Sequence, residues 1–140
     1  MDNVTAQDIH ERLLGTWWIV AREGPLGSMQ RIQPTERERI VFHRDHTVLD
    51  RRYGEATLRW GIRPLENDPE FPHSYLLLLT HSLTEDEIRN TEEFTGRKLQ
   101  WPEETHYYLI RKIHEDELEL QHYDDERGVE YFRRHERAKF

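Results

Sequence analysis

A chain of 140 residues, 35% hydrophobic and 34% charged, suits one domain, and its 5 Phe, 4 Trp and 6 Tyr can fill a core from few positions. A net charge of -8 argues against a nucleic-acid backbone or an anionic membrane as the main partner. The absence of cysteine excludes disulfides, thiolate metal sites and a cysteine nucleophile.

The first residues, Met1 to Glu11, are polar and acidic and lack an apolar signal-peptide core. A cytoplasmic location is therefore expected. Thr5-Ala6-Gln7-Asp8 fits a capping box, and Ile9, Leu13 and Leu14 follow at helical spacing, so a short helix is expected over residues 5–14. Gly15 ends it. Two tryptophans and two β-branched residues then predict a strand over 16–23, with Trp17, Ile19 and Ala21 on one face and Trp18, Val20 and Arg22 on the other.

Residues 24–28 read as a flexible loop. A strand over 38–43 presents Ile40 and Phe42 on one face, and Arg44-Asp45-His46 turns into a second strand over 47–53. Gly54-Glu55 turns again into 56–63, where Leu58, Trp60 and Ile62 alternate with polar residues. After a proline- and acid-rich loop, Ser74 to Thr80 is the next strand, and its Tyr75–Leu79 apolar run is too short to span a bilayer. Residues 81–104 read as a long loop excursion with one helical turn near Thr84-Glu85-Asp86-Glu87. Phe94, Leu99 and Trp101 are expected to fold back onto the body of the protein. Three closing strands follow, over 105–114, 117–123 and 129–135. Eight short strands with tight turns and no alternating helices specify an all-β fold: one domain over 1–140, an eight-stranded antiparallel up-and-down barrel with a short N-terminal helix.

The helix leading into Gly15-Thr16-Trp17, the Ile40-Val41-Phe42 strand with its polar turn, the strand around Trp60, and Tyr108-Leu109-Ile110 leading to Leu118-Glu119-Leu120 resemble small bacterial lipocalin-like proteins of the calycin superfamily. The resemblance covers roughly residues 10 to 136. It implies that a late arginine, Arg133 or Arg134, packs on Trp17, a cation–π contact sealing one end of the barrel. A disulfide, common in secreted members, is missing from this sequence, and a secretion signal is not expected. The superfamily includes carriers, sensors and enzymes, so the resemblance implies a container without naming its contents.

The closing strands carry His106, Tyr108, His122 and Tyr131, which neighbouring strands can bring together on one face. An inward-facing set would orient a ligand or act as general acid and base, and a bulge around Arg111-Lys112 would change which residues point inward. Tyr53, Trp60 and Tyr75 are the expected cavity wall, completing a ligand-binding set with Tyr108, His122 and Tyr131. Arg52, Arg59 and Arg63 either meet an acidic group of the ligand or stay outside, where Asp50 and Glu55 can pair with them. His43 and His46 are the metal candidates, with Asp45 the near third ligand; exposed turn residues are the alternative. No phosphate-binding glycine loop, Gly-x-Ser-x-Gly elbow or His-Glu-x-x-His helix is present, and no cofactor is expected. The expected function is binding of a small, mostly apolar or aromatic molecule in the barrel, as a carrier or sensor. The alternative is a cavity enzyme performing isomerisation, cyclisation or hydration through His106, Tyr108, His122 and Tyr131. No nucleic-acid or membrane partner is expected, and a homodimer is left open.

Overall fold

A computed structural model describes residues 5–50, 58–99, 103–123 and 128–140. Among them, helix α1 (Ala6–Leu13) precedes strands β1 (Gly15–Glu23), β2 (Met29–Arg31), β3 (Arg39–Phe42), β4 (Thr47–Asp50), β5 (Leu58–Pro64) and β6 (Tyr75–Ser82). Helix α2 (Glu85–Thr95) separates these from β7 (Glu103–Ile113), β8 (Glu117–His122) and β9 (Val129–Arg133). From β3 to β9 each strand pairs antiparallel with the next, and β9 returns to β1. β1 pairs with β3 through residues 15–18 and with the short β2 through 21–23. The result is a closed, eight-stranded, up-and-down antiparallel barrel with β2 as an accessory strand. Among the described residues, closure leaves no long strand edge to recruit another chain.

α1 forms where the capping box predicts it. The Thr5 hydroxyl accepts from the Asp8 amide and the Asp8 carboxylate accepts from the Thr5 amide. Its buried face, Ile9 and Leu13, enters the core with Trp17, Phe42, Trp60, Ile113 and Phe132 and covers one end of the barrel. The helix ends at Leu14 in an extended conformation, without a left-handed cap, so its last carbonyls need other donors. Trp17 Nε1 donates to the Leu13 carbonyl at 2.9 Å, and Arg134 donates to the carbonyls of Arg12, Leu14 (3.0 Å) and Thr16 (3.3 Å). The Arg134 guanidinium also lies 3.6 Å from the centre of the Trp17 ring. Of the two arginines proposed for this contact, Arg134 makes it, while Arg133 sits over Phe140 at 5.4 Å. Gly15, at φ +103°, keeps the place open: a Cβ there would lie 3.2 Å from Arg134 Nη1.

Two expectations are corrected. The register between β1 and β9 slips between Ile19 and Ala21, a bulge that breaks the period of two. Trp17 and Ile19 point into the core, whereas Val20 and Ala21 pack with Val129, Tyr131 and Phe140 in a separate outer cluster. The 81–104 excursion is also shorter and more ordered than expected. β6 runs to Ser82, β7 begins at Glu103, and α2 is an 11-residue helix rather than a single turn. Thr84 and Glu87 form a second capping box, and Gly96 closes the helix at φ +69° by donating to the Glu92 carbonyl. Phe94 does not fold back: it is 92% exposed. Leu99 is partly buried, and Trp101 lies outside the described residues.

Candidate functional site

Strand direction separates the two ends of the barrel. The α1 end gathers the start of β1 and the ends of β7 and β9. The opposite end, the mouth, gathers the ends of β4, β6 and β8 and the starts of β7 and β9. The buried polar and charged side chains among the described residues are Asp50, His81, His122 and Glu130. All four lie near the mouth, on β4, β6, β8 and β9. They also share the inward face: Asp50 follows Val48, His81 follows Leu79, His122 follows Leu120, and Glu130 precedes Phe132, each at a spacing of two.

Tyr108 of β7 is directly opposite His122 of β8, and their rings lie 4.8 Å apart at 53°. A register slip between Ile110 and Lys112 marks the bulge expected near Arg111; it lies beyond Tyr108 and leaves this pair intact. His122 Nε2 is 3.0 Å from Glu130 Oε1. A carboxylate only accepts, so Nε2 carries the hydrogen and Glu130 fixes the ring. The other Glu130 oxygen is 3.6 Å from Arg22 Nε. Arg22 reaches this face because the β1 bulge places it opposite Glu130, reversing the face expected from simple alternation. With His122 8% and Glu130 3% exposed, the pair sits where an unpartnered charge would cost several kcal/mol.

A second group stands beside it. Leu79 is opposite His106 and His81 is opposite Glu104, so both histidines and the carboxylate share a face. The His81 and His106 rings stack at 7° with centroids 5.3 Å apart and Nε2 atoms 3.3 Å apart. Glu104 Oε2 is 3.5 Å from His81 Nε2, and Oε1 is 3.9 Å from His106 Nε2. Three metal-ligating side chains, one atom each, thus lie within 4.8 Å of one another.

Of the six ligand-set residues expected from sequence, Tyr108 and His122 meet at the mouth. Tyr131 does not join them. It is opposite Glu119 and Ala21 on the outer face, donates to Glu23 at 2.6 Å and packs against Phe140. Burial, reinforced by the Glu23 carboxylate, pushes its phenol up to about 12, so it is a poor base at neutral pH. Trp60 is core, but its ring packs against Phe42, His46 and His10 of α1, and its Nε1 donates to the His43 carbonyl at 3.0 Å. Tyr75 is partly buried at the α1 end, opposite Pro64. Tyr53, Arg52 and Glu55 lie outside the described residues. Arg59 and Arg63 take the exterior alternative, Arg59 2.7 Å from Glu103 and Arg63 over the Tyr107 ring at 5.6 Å. Asp50, expected outside, is buried inside. His43 and His46 are exposed in their turn, Asp45 Oδ1 accepts from the Thr47 amide and hydroxyl, and the metal-ligating side chains that converge among the described residues are others.

His81, Glu104, Glu130 and Asp50 were missed as site residues. His81 and Glu104 fall where polar composition reads as loop. The period of two from Leu77 and Leu79 to His81 was the available signal. Glu130 is in phase with Phe132, which was equally readable.

No protein-family model matches the sequence, and no curated protein matches it significantly. Among solved structures, the chain is similar to a lipocalin-like protein from Bacteroides uniformis ATCC 8492, with 11% identity over 89% of this chain and 99% of that one and a TM-score of 0.40. No helix among the described residues is long and apolar enough to cross a membrane.

Proposed function

We propose that the barrel binds a small, mostly apolar organic molecule bearing one polar group, which enters at the mouth and meets His122, Tyr108 and Glu130. The observation that carries this reading is the buried His122–Glu130 pair beside Tyr108, in an interior whose other inward-facing polar groups, Asp50 and His81, gather at the same end. In a filled core, apolar side chains of similar volume could replace a buried carboxylate–imidazole pair at little cost to stability. A binding site gains orientation and selectivity from such groups. Mass spectrometry of the natively purified protein tests the reading, together with titration by an environment-sensitive apolar dye. A retained small-molecule mass, or dye affinity that falls about tenfold in Tyr108→Phe or His122→Leu, is expected. No retained mass and identical dye binding in both variants overturns it.

The second reading is a cavity enzyme. It is favoured by one feature, an imidazole held by a carboxylate, which is the arrangement of an oriented general base. In it His122 transfers the proton, Glu130 positions it and Tyr108 contacts the substrate; Tyr131 has no part. It predicts a bell-shaped pH–rate profile that His122→Gln abolishes while ligand retention persists.

A further inference from the structure

We propose that His81, His106 and Glu104 form a binding site for a divalent first-row transition metal of the zinc class at the mouth of the barrel. Zinc bonds imidazole nitrogen at about 2.0–2.1 Å, and a tetrahedral angle between two such bonds sets the nitrogens about 3.3–3.4 Å apart. The two Nε2 atoms are 3.3 Å apart, and the Glu104 oxygens approach them at 3.5 and 3.9 Å. The two imidazole nitrogens thus already stand at the edge length of a tetrahedron, while each Glu104 oxygen faces a different histidine and one of them must close on both nitrogens to complete the set. Two imidazoles and one carboxylate select borderline cations over magnesium and calcium, which favour all-oxygen shells.

The tautomers agree with this assignment. His81 Nδ1 is 3.3 Å from the Ser82 carbonyl, which only accepts, so Nδ1 carries the hydrogen and Nε2 keeps its lone pair. That is the outer-shell hydrogen bond which typically orients a metal-binding histidine. Without metal, Nε2 of His81 accepts a hydrogen from Nε2 of His106. On binding, the metal displaces that proton from His106 Nε2 to solvent, and the Nε2 lone pair becomes the second ligand. The frame beneath is braced on its outer side: Thr80 and Thr105 share a hydroxyl hydrogen bond at 2.9 Å, and Arg59 holds Glu103 at 2.7 Å. Both histidines are largely buried, whereas Glu104 is about half exposed, giving the ion a route from solvent. Three protein ligands leave a fourth position for water or a donor atom of a bound molecule.

The test uses the whole chain, stripped with a chelator and titrated with Co²⁺ and Zn²⁺. One equivalent should bind with the intense visible absorption of tetrahedral Co²⁺. His81→Ala or His106→Ala should weaken binding about 100-fold and Glu104→Gln about tenfold, while His43→Ala changes nothing. Because His81 is buried and its replacement can disturb folding, imidazole nitrogen NMR on the unaltered protein supplies an independent reading. Zn²⁺ should shift the Nε2 resonances of His81 and His106 first. No binding at millimolar metal, binding that survives both histidine variants, or shifts confined to exposed histidines would overturn the proposal.

Discussion

Tyr131 shows how one phenol records its surroundings. Its raised pKa, about 12 against an ordinary value of 10.0, means the folded state holds the proton where the unfolded chain releases it. The stabilising contribution is therefore complete below about pH 10 and is lost as pH rises through about 12. Two pH units correspond to something on the order of 2–3 kcal/mol. Denaturant unfolding should show this loss between those pH values, Tyr131→Phe should flatten it, and tyrosinate absorbance should locate the titration. The His122–Glu130 pair makes a different prediction. His122→Leu removes the 3.0 Å partner of the buried Glu130 carboxylate and should cost about 3 kcal/mol. The double variant His122→Leu/Glu130→Leu should regain most of that stability, and lose dye binding all the same. Equal destabilisation of both variants would mark the pair as structural. Neither partner advertises this in sequence. His122 was identified from its strand, but Glu130 looks like any exterior acid until its phase with Phe132 is considered.

Elements were legible where their ends carry chemistry. The Thr5-to-Asp8 box specified α1 to within a residue or two, and tight turns placed the strand ends. α2 was underestimated because no side chain in it is buried, so hydrophobic periodicity is weak, although Thr84, Glu87 and Gly96 spell out both caps. The bulge in β1 was not legible: Ile19, Val20 and Ala21 suit either face, and their division is decided by pairing with Phe132 and Tyr131. The junction of α1 with β1 yields the prediction at this scale. Arg134 both caps the helix carbonyls and covers Trp17, and burial lowers its pKa without removing its charge. Arg134→Ala should cost about 2–4 kcal/mol, combining lost charged hydrogen bonds with the cation–π contact. Arg134→Lys should recover little, since an ammonium cannot cover the indole and reach several carbonyls together. Thermal unfolding of the two variants checks this, with near wild-type stability of the lysine form counting against the clamp.

For the molecule as a whole, the decisive contact is the seam where β9 meets β1. It joins residues more than a hundred positions apart, so the loop-closure entropy of nearly the whole chain opposes it until the strands between have formed. The strand count and the tight turns made closure readable in the sequence, while the distribution of polar groups between the two ends needed three-dimensional register. Gly128 stands at this seam with φ +98°, and a Cβ there would fall 1.9 Å from the Glu23 carbonyl oxygen. Neither the angle nor the contact can be relieved by turning a side chain, because the obstructing atom is backbone. Gly128→Ala must therefore displace the start of β9 from the end of β1. Both belong to the mouth: Glu23 holds Tyr131, and Arg22 and Glu130 face each other one residue along. The expected cost exceeds about 3 kcal/mol, with protection from amide exchange lost first at residues 21–23 and 129–131 and ligand retention falling with it. Gly15→Ala, at the other end, shares the backbone strain of a positive φ (+103°) but meets the tip of the Arg134 side chain rather than backbone, and should be milder. If instead Gly128→Ala kept wild-type stability and exchange protection along both strands, the seam would have slack that its geometry does not allow.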